Sequence, residues 1–118
     1  MVSDLYSEYV DFLRRAAEVA GSVVVSDEII NLISRLVRVT RELDGVAHGA
    51  SPRVGVDLLF LSRARAALNG RFQVIPDDIK ALFQHAVNHR MILTPQAEIG
   101  GLTINRVIAD ALKASRLV

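Results

Sequence analysis

The stretch Gly49-Ala50-Ser51-Pro52-Arg53, running into Val54-Gly55-Val56-Asp57-Leu58-Leu59-Phe60-Leu61, decides how the rest of the chain is read. Ser51 is placed to cap a helix, its hydroxyl accepting a bond from a free backbone N–H of the first turn. Pro52 follows at the first helical position, where a missing N–H costs nothing and φ is already helical. The residues after it are apolar on nearly every side, as expected of a helix in the middle of a small protein. Arg53 breaks the pattern. A cation in the first turn opposes the helix dipole, at about 0.3–1 kcal/mol when exposed. An acid in the fold or an anionic ligand is therefore expected beside it.

On the N-terminal side, residues 3–19 read as a helix, with Leu5, Tyr9, Phe12, Leu13, Ala16 and Ala17 at helical spacing and charges on the other faces. Gly21 ends it, and Ser22-Val23-Val24-Val25 suits a short strand. Ser26 caps a second helix that runs to about Leu43, and Asp27 and Glu28 complement its dipole. Ile29, Leu32, Ile33, Leu36, Val37 and Leu43 form its apolar stripe, and residues 44–49 form a loop.

On the C-terminal side, Asn69-Gly70 stops the central helix, and Phe72-Gln73-Val74-Ile75 reads as a second short strand. Pro76 opens a helix with Asp77 and Asp78 in its first turn and Ile79, Leu82, Phe83, Ala86 and Val87 on its apolar face. Residues 90–93 form a third extended segment. Thr94-Pro95 opens a single helical turn, and Thr103 caps a last helix. The expected architecture is all-α, with four or five helices and up to three very short strands.

The bulk numbers agree with one domain over residues 1–118: 51% of the residues are hydrophobic and 23% charged, enough apolar material for a core. The formal net charge of +1 argues against a dedicated nucleic-acid binder. With no cysteine, disulfides and thiolate metal sites are excluded. Met1-Val2-Ser3-Asp4 lacks the basic-then-apolar grammar of a signal peptide, and no apolar run is long enough for a membrane span. A cytoplasmic location is the expectation.

The candidate chemistry is sparse. Val23-Val24-Val25-Ser26-Asp27-Glu28 has the outline of the strand-then-acid signal that holds magnesium in nucleotide hydrolases, but that signal needs a phosphate loop before it. The two lysines, Lys80 and Lys113, do not follow glycine, so no Gly-Lys-Ser/Thr exists and the segment reads as a strand followed by a capped helix. His85 and His89 share a helix face at zinc-binding spacing, without a third ligand, and packing or capping near the helix end is preferred over a metal site. Asp77 and Asp78 read as dipole complements rather than as an acid/base pair. Arg35, Arg38 and Arg41 form a basic line that suits a solvated face or an acidic neighbouring domain. Arg53 is different, because a helix N-terminus is already a phosphate site and an arginine adds a forked donor to it.

Taken together, several segments resemble the C-terminal lid domain of MoxR-type AAA+ ATPases, of the magnesium-chelatase-like group. They are Gly49-Ala50-Ser51-Pro52-Arg53; Ala64-Arg65-Ala66-Ala67-Leu68; Gly70-Arg71; Val74 to Lys80; Val87 to Pro95 with Ala97-Glu98; and Val25 to Glu28 with Leu36 to Arg41. The resemblance covers about residues 19–112. One departure is Ile75, where the family usually has a hydroxyl cap before the proline.

The resemblance implies that Arg53 is the sensor-2 residue, with Ser51 and Pro52 starting its helix. It also implies ATP and magnesium as cofactors of a parent protein, bound by a preceding α/β core domain of the same or an adjacent subunit. The chain alone then holds no cofactor and is no enzyme. A homo-hexameric parent, chaperone-like or metal-cofactor-insertion work, and a partner with a von Willebrand factor A domain are further implications. A different reading of the same residues is a stand-alone helical module that binds protein or DNA without ATPase activity.

Overall fold

The computed structural model describes residues 2–88 and 90–117, the side chains of residues 2–4 and 6 excepted. The element order is α1 (Val2–Gly21), α2 (Asp27–Glu42), β1 (Val46–His48), α3 (Pro52–Leu68), α4 (Pro76–Val87), β2 (Ile92–Leu93), α5 (Pro95–Ile99) and α6 (Ile104–Ala114). The all-α expectation holds. The described residues form six helices, because the single turn after Pro95 is long enough to be one.

Three helices start as their hydroxyl residues dictate. Ser26 Oγ accepts from Ile29 N–H at 3.3 Å, Thr94 Oγ1 from Ala97 N–H at 3.1 Å and Thr103 Oγ1 from Arg106 N–H at 3.2 Å. Ser51 is a correction. It has the extended N-cap backbone (φ −81°, ψ 165°), but its hydroxyl accepts no capping bond. The N–H it would serve, that of Val54, donates instead to the Ser51 backbone carbonyl at 3.0 Å. Pro52 does occupy the first turn.

The strands also differ from expectation. The 22–25 and 72–75 segments touch in a single parallel bridge, Val24 to Gln73, and form no longer strand. The true two-stranded sheet is antiparallel and pairs β2 with β1, inside the stretch expected to be a loop. Gly45 makes this possible. It sits at φ +86°, and a Cβ there would come within 2.6 Å of Leu102 Cδ2. Its carbonyl accepts from Thr94 N–H at 2.8 Å, fastening the sheet to the start of α5.

The core lies between α2, α3, α4 and α6. Leu36, Val54, Leu58, Ile79, Phe83, Val87 and Ala111 are fully buried. α3 is the central helix by position, packing against α1, α2 and α4. It is not buried all round, however. Val54, Leu58, Ser62 and Ala66, four residues apart, are its inward line, while Val56, Phe60 and Leu61 stay exposed. α1 departs further, because its apolar stripe faces water. Phe12 is 68% exposed, and Leu5, Tyr9 and Leu13 are exposed as well. No described helix is long and apolar enough to cross a membrane.

Candidate functional site: the two ends of the central helix

The N-terminal end of α3 is fixed by its backbone. Thr40, fully buried on α2, donates its hydroxyl hydrogen to the Val37 carbonyl at 2.7 Å and accepts from Ala50 N–H at 2.9 Å. Arg41 Nε donates to the Ala50 carbonyl at 3.0 Å. Both polar groups of Ala50 are thus tied to the last turn of α2, satisfying a buried peptide unit that water does not reach. Gly49 lies flat on the same turn, and a Cβ there would fall 2.6 Å from Arg41 Cγ and 2.7 Å from Arg41 N. The 49–53 segment therefore owes its path to close approach between two backbones, which glycine alone permits.

Arg53 stands one step beyond this anchor. Its side chain is 79% exposed, and its contact with the fold is an ion pair of 3.5 Å to Asp57, one helical turn along. That is the acid expected beside a dipole-opposed cation. Asp57 has a nearer partner, since Arg90 donates to its other carboxylate oxygen. One carboxylate therefore faces two guanidinium groups, leaving net positive charge at the mouth of a helix whose first-turn N–H groups receive no side-chain cap.

The C-terminal end of α3 is the opposite case. Asp78, in the first turn of α4, is fully buried and was expected only to complement the dipole. Its carboxylate accepts from Arg65 at 2.6 Å, from Arg71 at 2.5 Å and 2.8 Å, and from the Ile75 N–H at 2.9 Å. Burial alone would raise its pKa. The hydrogen bonds from Arg71, Ile75 N–H and Arg65 outweigh that and hold it down to about 2. The hydrogen bond to Asp78 in turn raises Arg71. The capping hydroxyl missing at Ile75 is thus replaced from the other side, by a carboxylate reaching back to the same peptide. This network joins α3 to α4 and the 69–75 turn.

The other candidates do not assemble. His85 lies exposed beside Asp57, Phe60 and Arg90 around a small recess, and His89 is outside the described residues. No group of three metal-ligating side chains occurs among the described residues. Arg38 and Arg41 flank a groove between α2 and α3, and Arg35 is not among the residues lining it. The Asp78 network was the site that sequence reasoning missed. Its partners lie 13 and 7 residues away, and the available signal was an acid at the third helical position after a residue that cannot cap.

Comparison with known proteins agrees with this architecture. The AAA lid domain family model matches residues 38–111. The chain is 34% identical over 106 residues to the uncharacterized protein YeaC of Bacillus subtilis strain 168, covering 90% of this chain and 32% of that protein. It is 32% identical over 109 residues to the chaperone MoxR1 of Mycobacterium tuberculosis, covering 81% of this chain and 29% of that one. A crystal structure from Cytophaga hutchinsonii, described as an ATPase, superposes with a TM-score of 0.77 at 30% identity, covering 81% of this chain and 32% of that chain. The chain spans about a third of the length of the first two relatives. The family match includes both anchored ends of α3, and this chain belongs to the AAA lid domains, in the MoxR family of AAA+ ATPases.

Proposed function

We propose that this chain is the nucleotide-responsive lid of a MoxR-type ATPase, with Arg53 as its sensor-2 residue. The observation that carries the reading is the contrast in how Arg53 is held. Its backbone is pinned through Ala50 to α2, while its guanidinium is largely exposed and shares one carboxylate with Arg90. A forked cation fixed at its base and free at its tip suits polyphosphate oxygens presented from outside the chain. It would stabilise charge during phosphoryl transfer and report nucleotide state to the lid. ATP and magnesium would be held by a core domain of the same or an adjacent subunit. The chain alone, with no Gly-Lys-Ser/Thr loop, would neither hydrolyse ATP nor bind it tightly.

The name of the chaperone MoxR1 supports chaperone-like work on other proteins, and the proposal extends to a cytoplasmic, ring-forming, homo-hexameric parent. A partner carrying a von Willebrand factor A domain belongs to the same proposal. The test is the ATPase rate and nucleotide affinity of the full-length ATPase bearing this lid, with and without Arg53→Ala. A loss of about tenfold or more in turnover is expected from removing such a charge. Unchanged rate and unchanged affinity would overturn the sensor role.

A further inference from the structure

The groove between α2 and α3 has a composition that the lid reading does not use. Its α2 wall is Ile30, Ile33, Ser34, Val37, Arg38 and Arg41, and its α3 wall is Pro52, Gly55, Val56 and Leu59, enclosing about 440 Å³. Gly55 sets its depth. A Cβ at that position would rest in ordinary van der Waals contact with Val37 Cγ2 at 3.4 Å and Ile33 Cγ2 at 3.5 Å, so the missing side chain leaves that space to the groove. Ile30 and Val56 are each 46% exposed across the opening. From Ile30 to Arg41 the α2 wall rises about 16 Å, or three helical turns.

The charge on this groove has one sign. Arg38 and Arg41 lie along it, and no carboxylate is among its lining residues. Arg41 keeps its Nε on the Ala50 carbonyl, which fixes the side chain at the groove and leaves its terminal nitrogens to donate elsewhere. Two helices packed side by side, with apolar side chains at spacings of three and four, form a seat for a third helix. Two arginines along one wall select an occupant with carboxylates in register, because an unpaired or like charge there would be rejected.

We propose that the α2–α3 groove is a docking site for an acidic amphipathic helix of a partner protein. Apolar residues on successive turns of the partner would lie on Ile30, Val37, Val56 and Leu59. Carboxylates on one flank would meet Arg38 and Arg41.

The probe is a synthetic helical peptide of about 14 residues, with leucines on one face and glutamates on the flank, beside a twin carrying lysines instead. Titrated against the 118-residue chain by fluorescence anisotropy, the glutamate peptide is expected to bind with a dissociation constant on the order of tens of micromolar. Arg38→Glu should weaken it by about tenfold or more, as should Val56→Glu, while Arg35→Glu, outside the groove, leaves it within about twofold. Both target positions are exposed, so the variants should keep the wild-type circular dichroism and melting curve. Equal binding of the two peptides, or binding indifferent to Arg38→Glu and Val56→Glu, would overturn the proposal. A concentration-dependent dimer that both variants abolish would overturn it too, since a second copy would then own the groove. So would capture by phosphatidylserine vesicles lost in the same variants, which would give the groove to a lipid surface.

Discussion

The two ends of α3 carry the same residue type and put it to opposite use. At the C-terminal end Arg65, with Arg71 from the following turn, converges on a buried carboxylate that also takes a backbone N–H, so each charge there is answered within the fold. At the N-terminal end Arg53 has a distant ion pair with an acid already claimed by Arg90. Identical guanidinium chemistry thus serves cohesion where water is excluded and availability where water is free. Burial of the partner decides which, because a fully buried carboxylate such as Asp78 that loses its cations is costly, and one that water still reaches, such as Asp57, is much less so.

The difference can be broken most sharply at Asp78. Asp78→Ala should lower the unfolding free energy by about 3 kcal/mol in urea titrations, since it strands two arginines and reopens the first turn of α4. A cost as small as that of a surface ion pair would erase the contrast. Gly49→Ala comes next, at about 2 kcal/mol, because the new methyl group collides with the backbone of Arg41 rather than with a flexible tip. That outcome would show that the open end is loose in its side chain and rigid in its main chain.

Acid probes the closed end alone. Asp78 has its folded pKa depressed to about 2 from 3.8, so its contribution is fully present above the unfolded value and is lost as pH falls from about 4 towards 2. The loss should be about 2 kcal/mol in wild type and nearly absent in Asp78→Asn, read from denaturation midpoints across that window. The smallest effect is expected at Arg53→Ala, whose stability should stay within about 0.5 kcal/mol of wild type. A larger change would mean that Arg53 belongs to the fold after all.

How much of this was legible in the residues depended on range. Ser26, Thr94 and Thr103 announced their helices because a cap is a contact over three residues, and Pro52, Pro76 and Pro95 marked starts for the same local reason. The stripe Ile29, Ile33, Leu36 and Val37 correctly named the inner face of α2. β1 was invisible because Val46-Ala47-His48 is too short for any alternation to register, and its pairing partner lies more than 40 residues on. Asp78 was misjudged since an acid in a first turn is already explained locally, which hides a long-range role. α1 shows the limit most plainly. The spacing of Leu5, Tyr9, Phe12 and Leu13 specifies an amphipathic helix, but nothing within a helix says whether its stripe meets its own core. For Arg53, the proline at the first helical position and the apolar residues after it pointed to the correct helix, although the expected Ser51 cap does not form, and the acid beside it was anticipated. The family resemblance supplied the phosphate role, which the local geometry accommodates without requiring it.

The Ala50 anchor has a mechanical consequence. α3 is 17 residues long, so about 25 Å separates its first turn from its last. The first turn is bolted to α2 through Thr40 and Arg41, and the last to α4 through Asp78. In the proposed sensor role, a pull on the Arg53 guanidinium would therefore reach a helix fastened at both ends. Held so, the helix turns only together with its neighbours, and a rotation of that body by about 10° about the first turn would carry the far end by roughly 4 Å. The domain would answer as a lever, delivering the displacement of one side chain as the motion of its whole body.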